Sequence, residues 1–91
     1  MAKPGTAEGS LGRCRRSDVG VDAEVVITHR SGGPGRFTAE VGLTDDAGKV
    51  FARGTATSAT INVGGSEQVI VSVRVTGAIE GACELLGVQP A

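Results

Sequence analysis

His29 is the only histidine in the chain, so any acid–base or nucleophilic mechanism would start there. An acyl-transfer triad needs a nucleophile and an orienting carboxylate around the imidazole, and no Gly-x-Ser-x-Gly elbow supplies the nucleophile. Lying at the end of an alternating apolar stretch, His29 reads as a solvent-facing loop residue. Asp45 and Asp46 are adjacent, so on a strand or turn they point apart. They are not the facing acid and base that glycoside hydrolysis uses. The stretch Asp45-Asp46-Ala47-Gly48-Lys49 also lacks the ligand ladder of a calcium loop, and turn chemistry accounts for it. Gly32-Gly33-Pro34-Gly35 does not match a phosphate-binding fingerprint. Cys14 and Cys83 are far apart, form no CxxC pair and have no histidine partners, which argues against a structural metal site. No catalytic, cofactor-binding or metal-ligating residue is assigned, no cofactor is expected, and the chain does not read as an enzyme.

The composition excludes further classes. Nine basic and ten acidic side chains leave a formal charge of −1, so nothing global steers the chain to nucleic acid or an anionic membrane. Arg13, Arg15 and Arg16 cluster early, as charges on an edge strand do when they discourage aggregation. There is no Trp and no Tyr, whereas sugar-binding and single-strand-binding surfaces stack rings on such residues. Phe37 and Phe51 are both assigned to the core. Asn62 is followed by Val63-Gly64, so it is not a glycosylation sequon. No apolar run is long enough to span a bilayer as a helix, so no membrane insertion is expected. Met1–Ser10 carries a lysine but no apolar segment of the signal-peptide kind.

Any side chain with a role must be positioned by strands. Val69, Val71, Val73 and Val75 recur every second residue in Gln68–Val75, the period of a strand with one buried face. Val21, Ala23, Val25 and Ile27 repeat the pattern in Val21–Thr28, and Phe37, Ala39, Val41 and Leu43 in Phe37–Thr44. Asp45–Gly48 is a hairpin connection with Gly48 suited to positive φ. Val50–Thr57 resumes β character and Thr60–Val63 follows it. Gly64-Gly65-Ser66 turns into the valine strand, and Thr76-Gly77 breaks it. Leu11–Arg16 forms a short first strand. The last segment, Ala82–Val88, is assigned to a strand, although Ala78–Leu86 has the composition of a short helix.

The chain therefore divides into a flexible leader, residues 1–10, and one domain, residues 11–91. Six or seven short strands separated by turns indicate an all-β sandwich or small barrel, with Greek-key pairing as the default. A chain of this size buries roughly 60–65% of its unfolded surface, and fifteen glycines add entropy to be lost on folding. A Cys14–Cys83 bridge would stabilise such a domain by roughly 4 kcal/mol in the loop-entropy treatment. The alternative is a pair of buried thiols.

The run Val25–Val75 resembles a family of secreted bacterial immunoglobulin-like modules, the FxLYD domains, above all their actinobacterial members. The residues that carry the resemblance are Val25, Ile27 and Thr28, then Phe37, Ala39, Val41 and Leu43, then Asp45, Gly48, Gly54 and the Gly64-Gly65-Ser66 turn. His29 stands where the family prefers Asn, and Gly64 replaces the proline of its Pro-Gly turn. The resemblance implies an immunoglobulin-like Greek-key β-sandwich with one cysteine ahead of the first core strand and one in the last, as Cys14 and Cys83 stand. It also implies a non-enzymatic extracytoplasmic module, in the cell envelope or outside the cell. In an immunoglobulin-like order the valine strand and the last strand would be neighbours. With Cys83 and Leu85 pointing inward, Ile70, Leu86 and Val88 would then form an exposed apolar patch, the mark of a partner surface.

The function expected is a protein-interaction or accessory module that uses a sheet face or an edge strand. The alternatives are a structural spacer, a surface or virion decoration domain, and a small enzyme inhibitor that presents the loop Ser31–Arg36.

Overall fold

The computed structural model describes residues 5–75 and 82–91. They form six strands: β1 (Thr6–Ser17), β2 (Gly20–Ser31), β3 (Phe37–Thr44), β4 (Val50–Thr57), β5 (Ser66–Arg74) and β6 (Ala82–Pro90). Two antiparallel sheets, ordered β1-β2-β5 and β4-β3-β6, stack face to face. The fold is thus the all-β sandwich expected, and the described residues contain no helix.

The limits of β3 and β4 coincide with those read from the sequence. The other limits differ: β2 runs on to Ser31, β5 spans Ser66–Arg74 against the expected Gln68–Val75, and β6 runs on to Pro90. β1 begins at Thr6, inside the stretch expected as a leader. Thr6–Leu11 pairs with Val25–Ser31 of β2, and Ala7 and Leu11 pack against the core, which holds this segment in the sheet. Thr60–Val63 is not a strand; only Ile61 pairs, through an isolated bridge to Gly35. The final segment is a strand from Ala82, while Thr76-Gly77 and Ala78–Gly81 lie outside the described residues.

The core is built from inward positions of three strands. Val21, Ala23, Val25 and Ile27 of β2 lie beside Val69, Val71 and Val73 of β5, paired Val21↔Val73, Ala23↔Val71 and Val25↔Val69. Phe37, Ala39, Val41 and Leu43 of β3 close the other side. Each fully buried Val, Leu or Phe contributes about 1.5–3 kcal/mol relative to exposure. Ala23 and Ala39, both fully buried, keep the two central strands close.

Around the molecule the strands run β1-β2-β5-β4-β3-β6, with β4 packed beside β5 and β1 beside β6 where the two sheets meet. β3, β4 and β5 are successive neighbours and β2 returns beside β5, which is Greek-key connectivity. Gly54 makes the β4–β5 seam possible: a Cβ there would collide with the Ser72 carbonyl.

Six strands of alternating direction bring both described ends to one pole. Gly5 lies against the Ser31 carbonyl and the His29 and Phe37 rings. The Ala91 N–H donates to the Arg36 carbonyl at 2.9 Å. The chain therefore enters and leaves beside the two ends of the same β2–β3 loop.

Candidate functional site

Cys14 and Cys83 form a disulfide, with Cα atoms 6.6 Å apart across 69 residues of sequence. The bond joins β1 to β6 and so ties the two sheets together along one seam. A bulge in β1 between Leu11 and Cys14 makes this possible. The extra residue reverses the facing of every side chain beyond it, turning Cys14 toward β6 and setting Arg15 opposite Asp22. With both thiols consumed, no group of three or more His, Cys, Asp or Glu that could hold a metal ion occurs among the described residues.

His29 is not a solvent-facing loop residue. It lies within β2, fully buried, with its ring edge-on to Phe37 at 4.8 Å between centroids. Its Nε2 is 2.8 Å from the Gly33 carbonyl oxygen. A carbonyl only accepts, so Nε2 carries the proton and Nδ1 is left buried with no partner. The His29 backbone N–H donates to Gly65 O and its carbonyl accepts from Gly64 N. The histidine therefore acts as a structural pin. Its ring holds the β2–β3 loop through Gly33 and its backbone holds the turn into β5. The signal was in the sequence: residues 21, 23, 25 and 27 are inward, and 29 has the same parity.

That loop is secured a second time, where Gly35 and Ile61 exchange backbone hydrogen bonds. Arg36 is turned back as well, its Nε donating to the Ser58 carbonyl at 3.1 Å. Asp45 is a turn residue, as expected. Its Oδ1 accepts from the backbone N–H groups of Ala47 and Lys49, both at 2.9 Å, and Gly48 has φ +79°.

The apolar patch of Ile70, Leu86 and Val88 does not form. Ile70 is 48% exposed, but β5 and β6 lie in different sheets. A bulge in β6 also pairs Val41 with Leu85 and Glu40 with Gly87, leaving Leu86 as the extra residue. The facing reverses there, so Val88 packs on the core beside Leu85. Leu86 stays on the outer face of the β4-β3-β6 sheet.

That outer face holds the features that the fold does not use. Phe51, assigned to the core from the sequence, is 46% exposed. Ala52 and Ala56 occupy the inward positions of β4, so the register puts the ring outside. Leu86 and Val50 come together over Gly42, where a Cβ would lie 3.0 Å from each. One rung further, Gly87 faces Glu40, which faces Thr55 across the sheet. With no side chain at Gly87, a hollow of about 380 Å³ opens there, walled by Thr38, Leu86, Gln89 and Pro90. The only ion pair among the described residues joins Arg30 to Glu8 on the other sheet, so the Glu40 carboxylate makes no ion pair there. A second hollow, about 370 Å³, lies beside the disulfide and is lined by Leu11, Arg16, Val21 and Leu43.

Comparison with known proteins returns no match to a family model, a curated protein or a solved structure.

Proposed function

We propose that the protein is a non-enzymatic, extracytoplasmic interaction module, carried at one pole and presenting the outer face of the β4-β3-β6 sheet to a protein partner. The observation that carries this reading is Phe51. The chain has two phenylalanines, and one of them stands 46% exposed, following Val50, which meets Leu86 over Gly42. A large apolar side chain on a solvent face is informative where a buried one is not. The disulfide supports an oxidising compartment, the cell envelope or the exterior. The strand order β1-β2-β5 over β4-β3-β6 supports the immunoglobulin-like description.

The test is capture from an envelope fraction of the source culture, with the oxidised domain and its Phe51→Ser variant as baits. The reading expects a protein retained by the first and lost from the second. Identical capture by the two would end it.

A second reading, an enzyme inhibitor presenting Ser31–Arg36, rests on how firmly His29 and Ile61 hold that loop. It expects a protease to be inhibited by the domain and released by Gly33→Lys; the absence of inhibition across serine and cysteine proteases would dispose of it.

A further inference from the structure

We infer that the hollow over Gly87 is a seat for one arginine side chain of the protein partner, with the Glu40 carboxylate as its counter-ion. The inference rests on the interaction-module reading and gives that face a specific chemistry.

Three observations converge. First, the cavity is made by the backbone. The β6 bulge pushes Leu86 aside and sets Gly87 opposite Glu40, so the central strand is left uncovered at that rung. Second, the cavity has one charged lining residue. Glu40 is half-buried, and Thr55 and Gln89 line the same hollow. Arg53, the cation on the adjacent rung, lies opposite Gly42 and makes no ion pair with Glu40. Third, two of the lining residues, Leu86 and Pro90, are apolar and offer a surface to a side-chain stem. A carboxylate beside such a surface fits a cationic head on a methylene stem. Guanidinium fits better than ammonium, since it is less strongly hydrated and offers five N–H donors to the carboxylate, hydroxyl and amide oxygens together. At about 380 Å³ the space is at the small end of ligand pockets, suited to one side chain and not to a large cofactor. Phe51, Val50 and Leu86 lie along the same face and would contact the residues flanking that arginine.

The experiment is an amide-resolved NMR titration of the oxidised domain with N-acetyl-arginine methylamide. The uncharged isostere N-acetyl-citrulline methylamide is the control. A lone solvent-accessible ion pair is weak, so the expected dissociation constant is on the order of 1–10 mM. Shifts should centre on Thr55, Gly87 and Gln89. Citrulline should bind about fivefold more weakly or worse, and Glu40→Gln should weaken the arginine probe to the same degree. Gly87→Val should abolish binding by filling the hollow while leaving the fold intact, because a Cβ at Gly87 meets nothing within 4 Å. Equal binding of the two probes, an unchanged titration in Glu40→Gln, or no shifts at tens of millimolar would each overturn the assignment. The two readings separate cleanly. Capture that depends on Phe51 but not on Glu40 would keep the module and remove the arginine seat. A Glu40-dependent titration with Phe51-independent capture would keep an arginine site and remove Phe51 as the evidence for the module.

Discussion

Gly54 and Gly87 share a residue type and a strand environment but face different surroundings. At Gly54 a methyl group would be driven into the Ser72 carbonyl, whereas at Gly87 it would enter open space. Gly54→Ala is therefore expected to destabilise the domain by about 2 kcal/mol through overpacking. Gly87→Ala is expected to be neutral or to stabilise by about 0.5 kcal/mol, because it restricts the unfolded chain without strain. Urea denaturation of the two variants checks this, and equal effects would contradict the close approach of β4 to β5. His29 makes a second residue-scale case. Its Nδ1 should appear as an unprotonated, unbonded nitrogen and its Nε2 as the protonated one in ring ¹⁵N spectra. His29→Ala removes a fully buried ring and should cost about 3 kcal/mol. It should also release the loop at Gly33, seen as faster amide exchange there.

At the scale of the element, bulges govern where side chains point. Besides those in β1 and β6, the register shifts where Thr6 and Ala7 meet β2 and where Leu43 and Thr44 meet β4. In β6 the surplus residue is Leu86. Deleting it should leave Val41↔Leu85 and Ala39↔Val88 intact, because it removes the surplus and not a partner. The expected cost is about 1 kcal/mol, from the half-buried apolar surface lost over Gly42; a loss of cooperative unfolding would show that the register had moved. Here sequence reasoning met its limit. Alternation located β3 to the residue and identified the inward valines of β5, because an uninterrupted period of two is a local property of the chain. A bulge is not. Whether Leu86 is skipped depends on which residues of β3 it is laid against, and no pattern in Cys83–Val88 records that. One unseen insertion moved Val88 from the expected surface to the core. Two other errors were avoidable. The parity of β2 carries through to His29, and Phe51 shares its parity with Arg53, Thr55 and Thr57, not with the small inward residues of β4.

For the molecule as a whole, the Cys14–Cys83 bond spans 69 residues and restricts the unfolded chain correspondingly. Loop entropy assigns it about 4 kcal/mol. A domain of this length has about 5–14 kcal/mol of stability in total. Reduction should thus lower the urea midpoint by roughly 30% or more, and a Cys14→Ala, Cys83→Ala variant should behave like the reduced protein. If reduction leaves the midpoint unchanged, the seam between β1 and β6 holds without the bond. The candidate binding face was less legible than the fold, for a reason of scale. It is assembled from β3, β4 and β6, so its members are distant in sequence and meet only after the chain has folded.

The arrangement of the two ends has one more consequence. Because Gly5 and Ala91 flank the same short loop, a brief peptide joining them would let the chain be reopened elsewhere, for instance within Asp45–Gly48. The circular permutant should keep the same fold. The same proximity would let the whole domain be grafted into a surface turn of an unrelated host protein without prising that host apart.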